Sequence, residues 1–141
     1  MKVRVPRHER LTRPADVAAV FLAILAAEPP HDQDKEHVWL ACLDTKHMIR
    51  YIELVSLGTL EAALAGSREI FRFAIVKGTA RIMVVHNHPS GDVEPSAEDR
   101  ALTTRLAEAG RIIGIELLDH IIIGLPDSYR SLKQDGLREA A

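Results

Sequence analysis

The sequence predicts a single three-layer α/β domain, with a mixed β-sheet flanked by helices. Three observations predict it. Helix-like and strand-like segments alternate in the order α-β-β-α-β-α-β, which implies a sheet with helices packed on it. The segment Ala80–Val85 is apolar on both faces, as a central strand covered from both sides must be. The chain of 141 residues has the length of one domain and can bury a core without covalent staples.

The elements follow in order. Thr12-Arg13-Pro14 is a helix start with proline in the first turn, and the helix should run to about Ala27, where Pro29-Pro30 ends it. His31–Lys35 is polar and reads as a loop. Glu36–Leu43 is short, apolar after His37 and contains Val38 and Trp39, so it reads as a strand. Asp44–His47 is a turn into a second strand, Ile49–Leu57, closed by Gly58-Thr59; together they make a hairpin. A weak helical patch covers Leu60–Ala65. Ser67 is the expected N-cap of a helix reaching Lys77, with Ile70, Phe73 and Ala74 on one face and Gly78 as its stop. Ala80–Val85 is the third strand. Ser96–Ile113 is a helix whose apolar stripe is Leu102, Leu106, Ala109 and Ile113; Gly114 ends it and Ile115–Ile123 is the fourth strand. A turn after Pro126 and a short edge strand near Ser131 complete the chain. Residues 1–13 form a basic arm outside the domain, which spans 14–141.

Composition narrows the function classes. The chain is 47% hydrophobic and 27% charged, ordinary for a soluble globular protein. Its net charge of -2 gives no overall pull towards nucleic acid or anionic membrane. The arm is the exception, with Lys2, Arg4, Arg7, Arg10 and Arg13 against Glu9; it reads as a solvated tail, with nucleic-acid contact as the alternative. Cys42 is the only cysteine and lies in an apolar run, so packing is expected of it and no disulfide within the chain is possible. The most apolar segment near the N-terminus, Val17–Ala27, is too short to span a bilayer and lacks a cleavage site. The expectation is a cytoplasmic protein.

The chemistry concentrates in "VVHNHPSGDVEPSAED", from Val84 to Asp99. Side chains alternate along a strand, so His86 and His88 face the same way if the strand persists past Val85. Two imidazoles on one side are half of a zinc site. With no second thiol, a third ligand would be His, Asp or Glu. Pro89, Gly91 and Pro95 suit a sharp return of the chain, which would bring Asp99, on the first turn of the next helix, back to the strand end. Three protein ligands leave a fourth position open, as in catalytic zinc sites. A second reading stands beside this one. Ser96-Ala97-Glu98-Asp99 resembles a capping box, which accounts for Ser96 and Asp99 without a metal but not for the paired histidines. The adjacent letters His86-Asn87-His88 do not make an HNH nuclease, whose residues are dispersed, and the lack of a Cys-x-x-Cys pair excludes a zinc nucleobase deaminase.

The spacing His-x-His, seven residues, Ser, two residues, Asp resembles the JAMM motif of JAB/MPN+ metalloproteases, with His86, His88, Ser96 and Asp99 at every fixed position. More closely, the segment is similar to the signature of the bacterial RadC family. The blocks "REIFRFAI" (Arg68–Ile75), "LLDHIIIG" (Leu117–Gly124) and "HVWLACLDTKH" (His37–His47) look like the same family. The resemblance covers about Glu36 to Gln134 and implies the JAB/MPN, cytidine-deaminase-like fold. Long RadC proteins carry an extra N-terminal helical region, so this chain looks like the short form.

The resemblance also implies roles. His86, His88 and Asp99 would bind zinc. Glu36, at the start of the first strand, would be the general acid/base, with Glu53 on the second strand as its rival. Ser96 would help hold the tetrahedral intermediate. The reaction would be hydrolysis of a peptide or isopeptide amide by zinc-activated water, with a protein or peptide as substrate. For Asp119 and His120, inside the apolar fourth strand, a structural role or one supporting a ligand is expected, because buried polar groups need partners. Trp39 and Phe71 are expected in the core. Two other functions compete. One is a nucleic-acid role, since RadC proteins are traditionally labelled as DNA repair; only 4% of residues are aromatic and no known binding module is visible. The other is a non-catalytic MPN scaffold, which usually lacks the ligands this chain keeps.

Overall fold

The computed structural model describes residues 13–58 and 67–136. Most of the basic arm, Thr12 and the patch expected at Leu60–Ala65 lie outside them. The described elements are α1 (Pro14–Ala26), α2 (Pro30–Gln33), β1 (Glu36–Leu43), β2 (Ile49–Gly58), α3 (Ser67–Val76), β3 (Arg81–Asn87), α4 (Ala97–Ile113), β4 (Glu116–Gly124) and β5 (Ser128–Ser131). The five strands form one mixed sheet in the order β2-β1-β3-β4-β5. Only the β3–β4 pair is parallel, which requires the crossover that α4 provides.

Helices cover both faces, so the expected three layers are present. On one face α1 buries Val17, Phe21 and Leu25 against Trp39, Val85, Ile121 and Ile123. On the other, α3 and α4 bury Ile70, Phe71, Leu102 and Leu106 against Leu40, Val84 and Leu117. Strands β3 and β4 are buried on both sides, which is why they read as largely apolar runs, broken in β4 only by Asp119-His120 and ending in β3 at His86-Asn87. Cys42 is buried within this packing, and burial pushes its thiol pKa up; it is a small core residue, not a nucleophile.

The differences from expectation have local causes. The loop expected at His31–Lys35 contains the single helical turn α2. Pro30 sits at its first position with a preset φ, and the Pro29 carbonyl accepts from Asp32 N (2.8 Å) and Gln33 N (3.2 Å). Gln33 Nε2 then donates to Ala26 O at the end of α1 (3.3 Å) and to Glu28 O just beyond it (2.8 Å). On α4 the stripe ends early: Ile113 is 44% exposed, and Thr103 and Gly110 are buried instead. On α3, Phe71 is fully buried while Phe73 is only partly so. Strand β3 runs to Asn87, two residues past the expected end, and this extension carries the first histidine.

Candidate metal centre

The end of β3 aims both histidines. His86 pairs with Val38 on β1 and Ile122 on β4, so its backbone is fixed from both sides. His88 lies just past the strand, but its N–H donates to Ile123 O at 3.0 Å, so the ladder continues and the two rings share a face. The chain then turns back sharply. Gly91 adopts φ +87° and donates to His88 O at 2.9 Å. Gly124 makes room for this loop: a Cβ there would stand 2.7 Å from Gly91 O. Arg130 on β5 anchors the loop through Glu94 and also holds Asp135.

The return ends in a reciprocal cap. Asp99 N donates to Ser96 Oγ at 3.0 Å, and Ser96 N donates to Asp99 Oδ2 at 2.9 Å. The cap and the metal readings of Ser96 and Asp99 are therefore compatible. The box fixes the carboxylate and points it at the histidines. His88 Nε2 lies 3.0 Å from Asp99 Oδ2, His86 Nε2 lies 3.1 Å from Asp99 Oδ1, and the two Nε2 atoms are 3.1 Å apart. Asp99 is fully buried, yet among the described residues its Oδ1 makes no hydrogen bond. An orphaned buried carboxylate oxygen costs about 1–3 kcal/mol or more unless something else satisfies it.

These three residues fit a zinc ion. With bonds of 2.0–2.1 Å, the edge of a tetrahedral zinc site is about 3.3 Å, close to the ligand-atom separations here. The donor set, two imidazole nitrogens and a carboxylate, is the chemistry zinc prefers. They are the one such group found among the described residues. His88 Nδ1 lies 2.7 Å from Asp92 O, and a carbonyl only accepts, so Nδ1 carries the proton and Nε2 is left with a free lone pair.

Electrostatics agree. Burial pushes the Asp99 carboxyl up, but the adjacent imidazoles of His86 and His88 and the Ser96 N–H outweigh it and hold Asp99 well below the usual carboxylate range. The Asp99 carboxylate raises the His88 pKa, against burial, with the Asp92 carbonyl and the Glu36 charge adding to it.

Glu36 opens β1 and is half-buried. Val38 pairs with His86 in the antiparallel β1–β3 ladder. Continuing that register by two residues sets Glu36 opposite His88, on the same face as both histidines. Asn87 holds this end of β1 in place: its Oδ1 accepts from His37 N at 2.6 Å and its Nδ2 donates to Lys35 O at 3.0 Å. Both residues flanking Glu36 are thus clamped by the residue between the two histidines. The rival Glu53 is exposed and pairs with Leu40, four residues further along β1, or about 13 Å away at strand spacing. Ser96 Oγ uses a lone pair for the cap, so its proton is not spent there.

Asp119 and His120 sit apart in role. Asp119 accepts from His120 N and Lys133 N at 2.8 and 3.0 Å and from Ser131 Oγ at 2.6 Å, tying β4 to β5 and the turn beyond. His120 Nε2 lies 2.7 Å from His86 Nδ1, so it supports a candidate ligand directly. Burial holds the His120 pKa well below the ordinary histidine range. Sequence reading missed Asn87, Asp92, Thr103 and Gly124 as parts of this site, while Gly91 makes the sharp return expected of it. For Thr103 a signal existed: it lies one helical turn after Asp99 and so shares its face.

A family model described as a RadC-like JAB domain matches residues 11–137. Among curated proteins, the chain is similar to a UPF0758 protein of Desulforamulus reducens, 49% identical over 113 residues, covering 80% of this chain and 49% of the relative. It is also similar to a UPF0758 protein of Rubrobacter xylanophilus, 42% identical over 134 residues (95% of this chain, 56% of the relative). A third, from Alkaliphilus metalliredigens, is 44% identical over 130 residues (92% and 53%). The chain spans about half the length of the curated relatives it matches. No helix among the described residues is long and apolar enough to cross a membrane.

Proposed function

The chain belongs to the RadC-like JAB domain family, and from that premise we propose that it is a zinc-dependent hydrolase of peptide or isopeptide amide bonds. The observation that carries the reading is the convergence of His86 Nε2, His88 Nε2 and the Asp99 carboxylate at 3.0–3.1 Å, with Asp99 Oδ1 buried and unpaired. His86, His88 and Asp99 would hold the ion. Zinc bound there supplies a Lewis acid for the amide carbonyl and brings the pKa of water near neutrality.

The chain's own residues do the rest. Glu36 is the general base: from its place opposite His88 it takes a proton from the attacking water and later delivers it to the leaving amine. Asn87 keeps the backbone of Glu36 fixed, so the carboxylate meets the water without a search. Ser96 keeps its helix cap through a lone pair and turns its hydroxyl proton to the oxygen that gains charge in the transition state. Asp99 is ionised across the neutral range, so it does not compete with Glu36 for the proton.

The substrate is a protein or peptide chain. The test is incubation of zinc-loaded protein with a mixed peptide library and a di-peptide-linked isopeptide set, read by mass spectrometry. New amine and carboxyl termini that form with wild type and not with Glu36→Gln support the reading. Equal product from both, or none from either across the library and the isopeptides, counts against it.

A further inference from the structure

We propose that His120 and Thr103 are positioning residues: a hydrogen-bonded relay through them fixes His86 in the tautomer that leaves Nε2 bare, and closes the first ligand onto the backbone of the third. The proposal rests on the zinc reading of His86, His88 and Asp99, but its geometry stands on contacts outside that triad.

Four contacts define the relay. Thr103 Oγ1 lies 2.8 Å from Asp99 O, a backbone carbonyl that can only accept, and we assign the single hydroxyl proton to that contact. Thr103 Oγ1 also lies 2.5 Å from His120 Nδ1. With its proton spent, the hydroxyl must accept, so His120 carries its proton on Nδ1. Neither His120 nitrogen is bonded to a carboxylate, and the ring is fully buried, so a second proton on it would be a buried charge without a bonded counterion. His120 Nε2 is therefore a lone pair. It lies 2.7 Å from His86 Nδ1, which must donate, and His86 Nε2 is left bare and facing Asp99 Oδ1.

The direction of the whole relay is set by one carbonyl, that of Asp99. Asp92 O does the same for His88 through a single contact. Free imidazole favours the proton on Nε2, the atom a metal needs, so both ligands are held in the less favoured form in advance. The relay also forms a ring: Asp99 offers its carboxylate to the site and its carbonyl to Thr103, so a shift of α4 would disturb His86 and Asp99 together.

The experiment uses the full chain with zinc as the only added ligand. Histidine tautomers are read in metal-free protein at about pH 9 by long-range nitrogen–proton NMR, where the rings are neutral. Zinc affinity is read by chelator competition, and folding by the thermal transition. Wild type should show His86 protonated at Nδ1. Thr103→Val, which removes the hydroxyl and keeps the shape, should lose that preference at His86 and weaken zinc binding about 10–100-fold. Thr103→Ser, which restores the hydroxyl, should regain both. His86 protonated at Nε2 in wild type overturns the proposal. So does a folded Thr103→Val that binds zinc as tightly as wild type. A wild type that shows the Nδ1 tautomer but takes up no zinc supports the relay and refutes the functional reading instead, which keeps the two separable.

Discussion

Glu36 and Asp99 are both carboxylates whose charge acts on His88, but their surroundings give them different work. Asp99 is fully buried beside two imidazoles; Glu36 is half-buried at a strand end. Glu36→Gln should therefore keep zinc content and thermal stability near wild type while hydrolysis falls about 10²–10⁴-fold, the usual worth of a general base. Glu53→Gln should leave hydrolysis unchanged; if it is the damaging variant, the wrong glutamate has been assigned. Asp119 offers a pH test. Burial raises its pKa against the hydrogen bonds from Ser131, Lys133 and His120. A folded value above the unfolded one means that folding favours the protonated form, so this contribution is fully present below the unfolded pKa and is lost as pH rises through the folded one. Unfolding titrations of Asp119→Asn and wild type should show the difference shifting in favour of the variant as pH rises above the ordinary carboxylate range of about 4. A shift the other way contradicts a raised pKa. Asp119→Ala should cost about 1–3 kcal/mol on top of this pH dependence, because it strands the Ser131, Lys133 and His120 donors. At this scale the convergence of His86, His88 and Asp99 was legible because strand alternation and helix capping are short-range rules. Asn87 and the Thr103–His120 contact were not, since nothing local says which partner an amide or hydroxyl will find across the fold.

The element that builds the site is the turn from β3 to α4, and two glycines decide whether it fits. In Gly124→Ala the new Cβ would meet Gly91 O at 2.7 Å and Gly91 Cα at 3.0 Å, both backbone atoms that cannot rotate away. The loop must shift, so zinc affinity should fall along with stability, by about 1–3 kcal/mol for the latter. Zinc titration and thermal unfolding check this; unchanged affinity would mean that the loop does not position His88 and Asp99. Asn87→Ala separates the start of β1 from the end of β3 without touching a ligand. Zinc should stay bound while hydrolysis drops towards the Glu36→Gln level, and the double variant should be scarcely worse than either single one, as residues acting as a unit are. Strand β1 was legible because the apolar run Val38–Leu43 is bounded sharply by His37 before it and Asp44 after it. Helix α2 was not, because paired prolines read as a breaker, although the second of them can also open a helix. The end of β3 was read short because His86 and Asn87 look polar; burial and pairing from both sides keep them extended.

At the scale of the whole molecule, layer order decides where chemistry can occur. The parallel β3–β4 pair forces a crossover, the crossover helix starts beside the strand end, and its capped N-terminus delivers Asp99 to the histidines. This much was legible, since a buried central strand followed by a helix and another buried strand has few other solutions. Which helix covers which face was not, because an apolar stripe says that a helix packs on the sheet but not on which side. With a net charge of -2, any contact of the chain with DNA should be weak, blind to sequence and steeply salt-dependent. Binding assays across salt concentrations check this, and a tight complex at high salt would favour a nucleic-acid role over hydrolysis. The central claim is that His86, His88 and Asp99 form a zinc site. Its most direct test is elemental analysis of protein purified without chelator and again after zinc titration and desalting, with Asp99→Asn alongside. One zinc per chain in wild type, and clearly less in Asp99→Asn at unchanged fold, is the predicted result. A folded wild type that retains no zinc even after titration would contradict it.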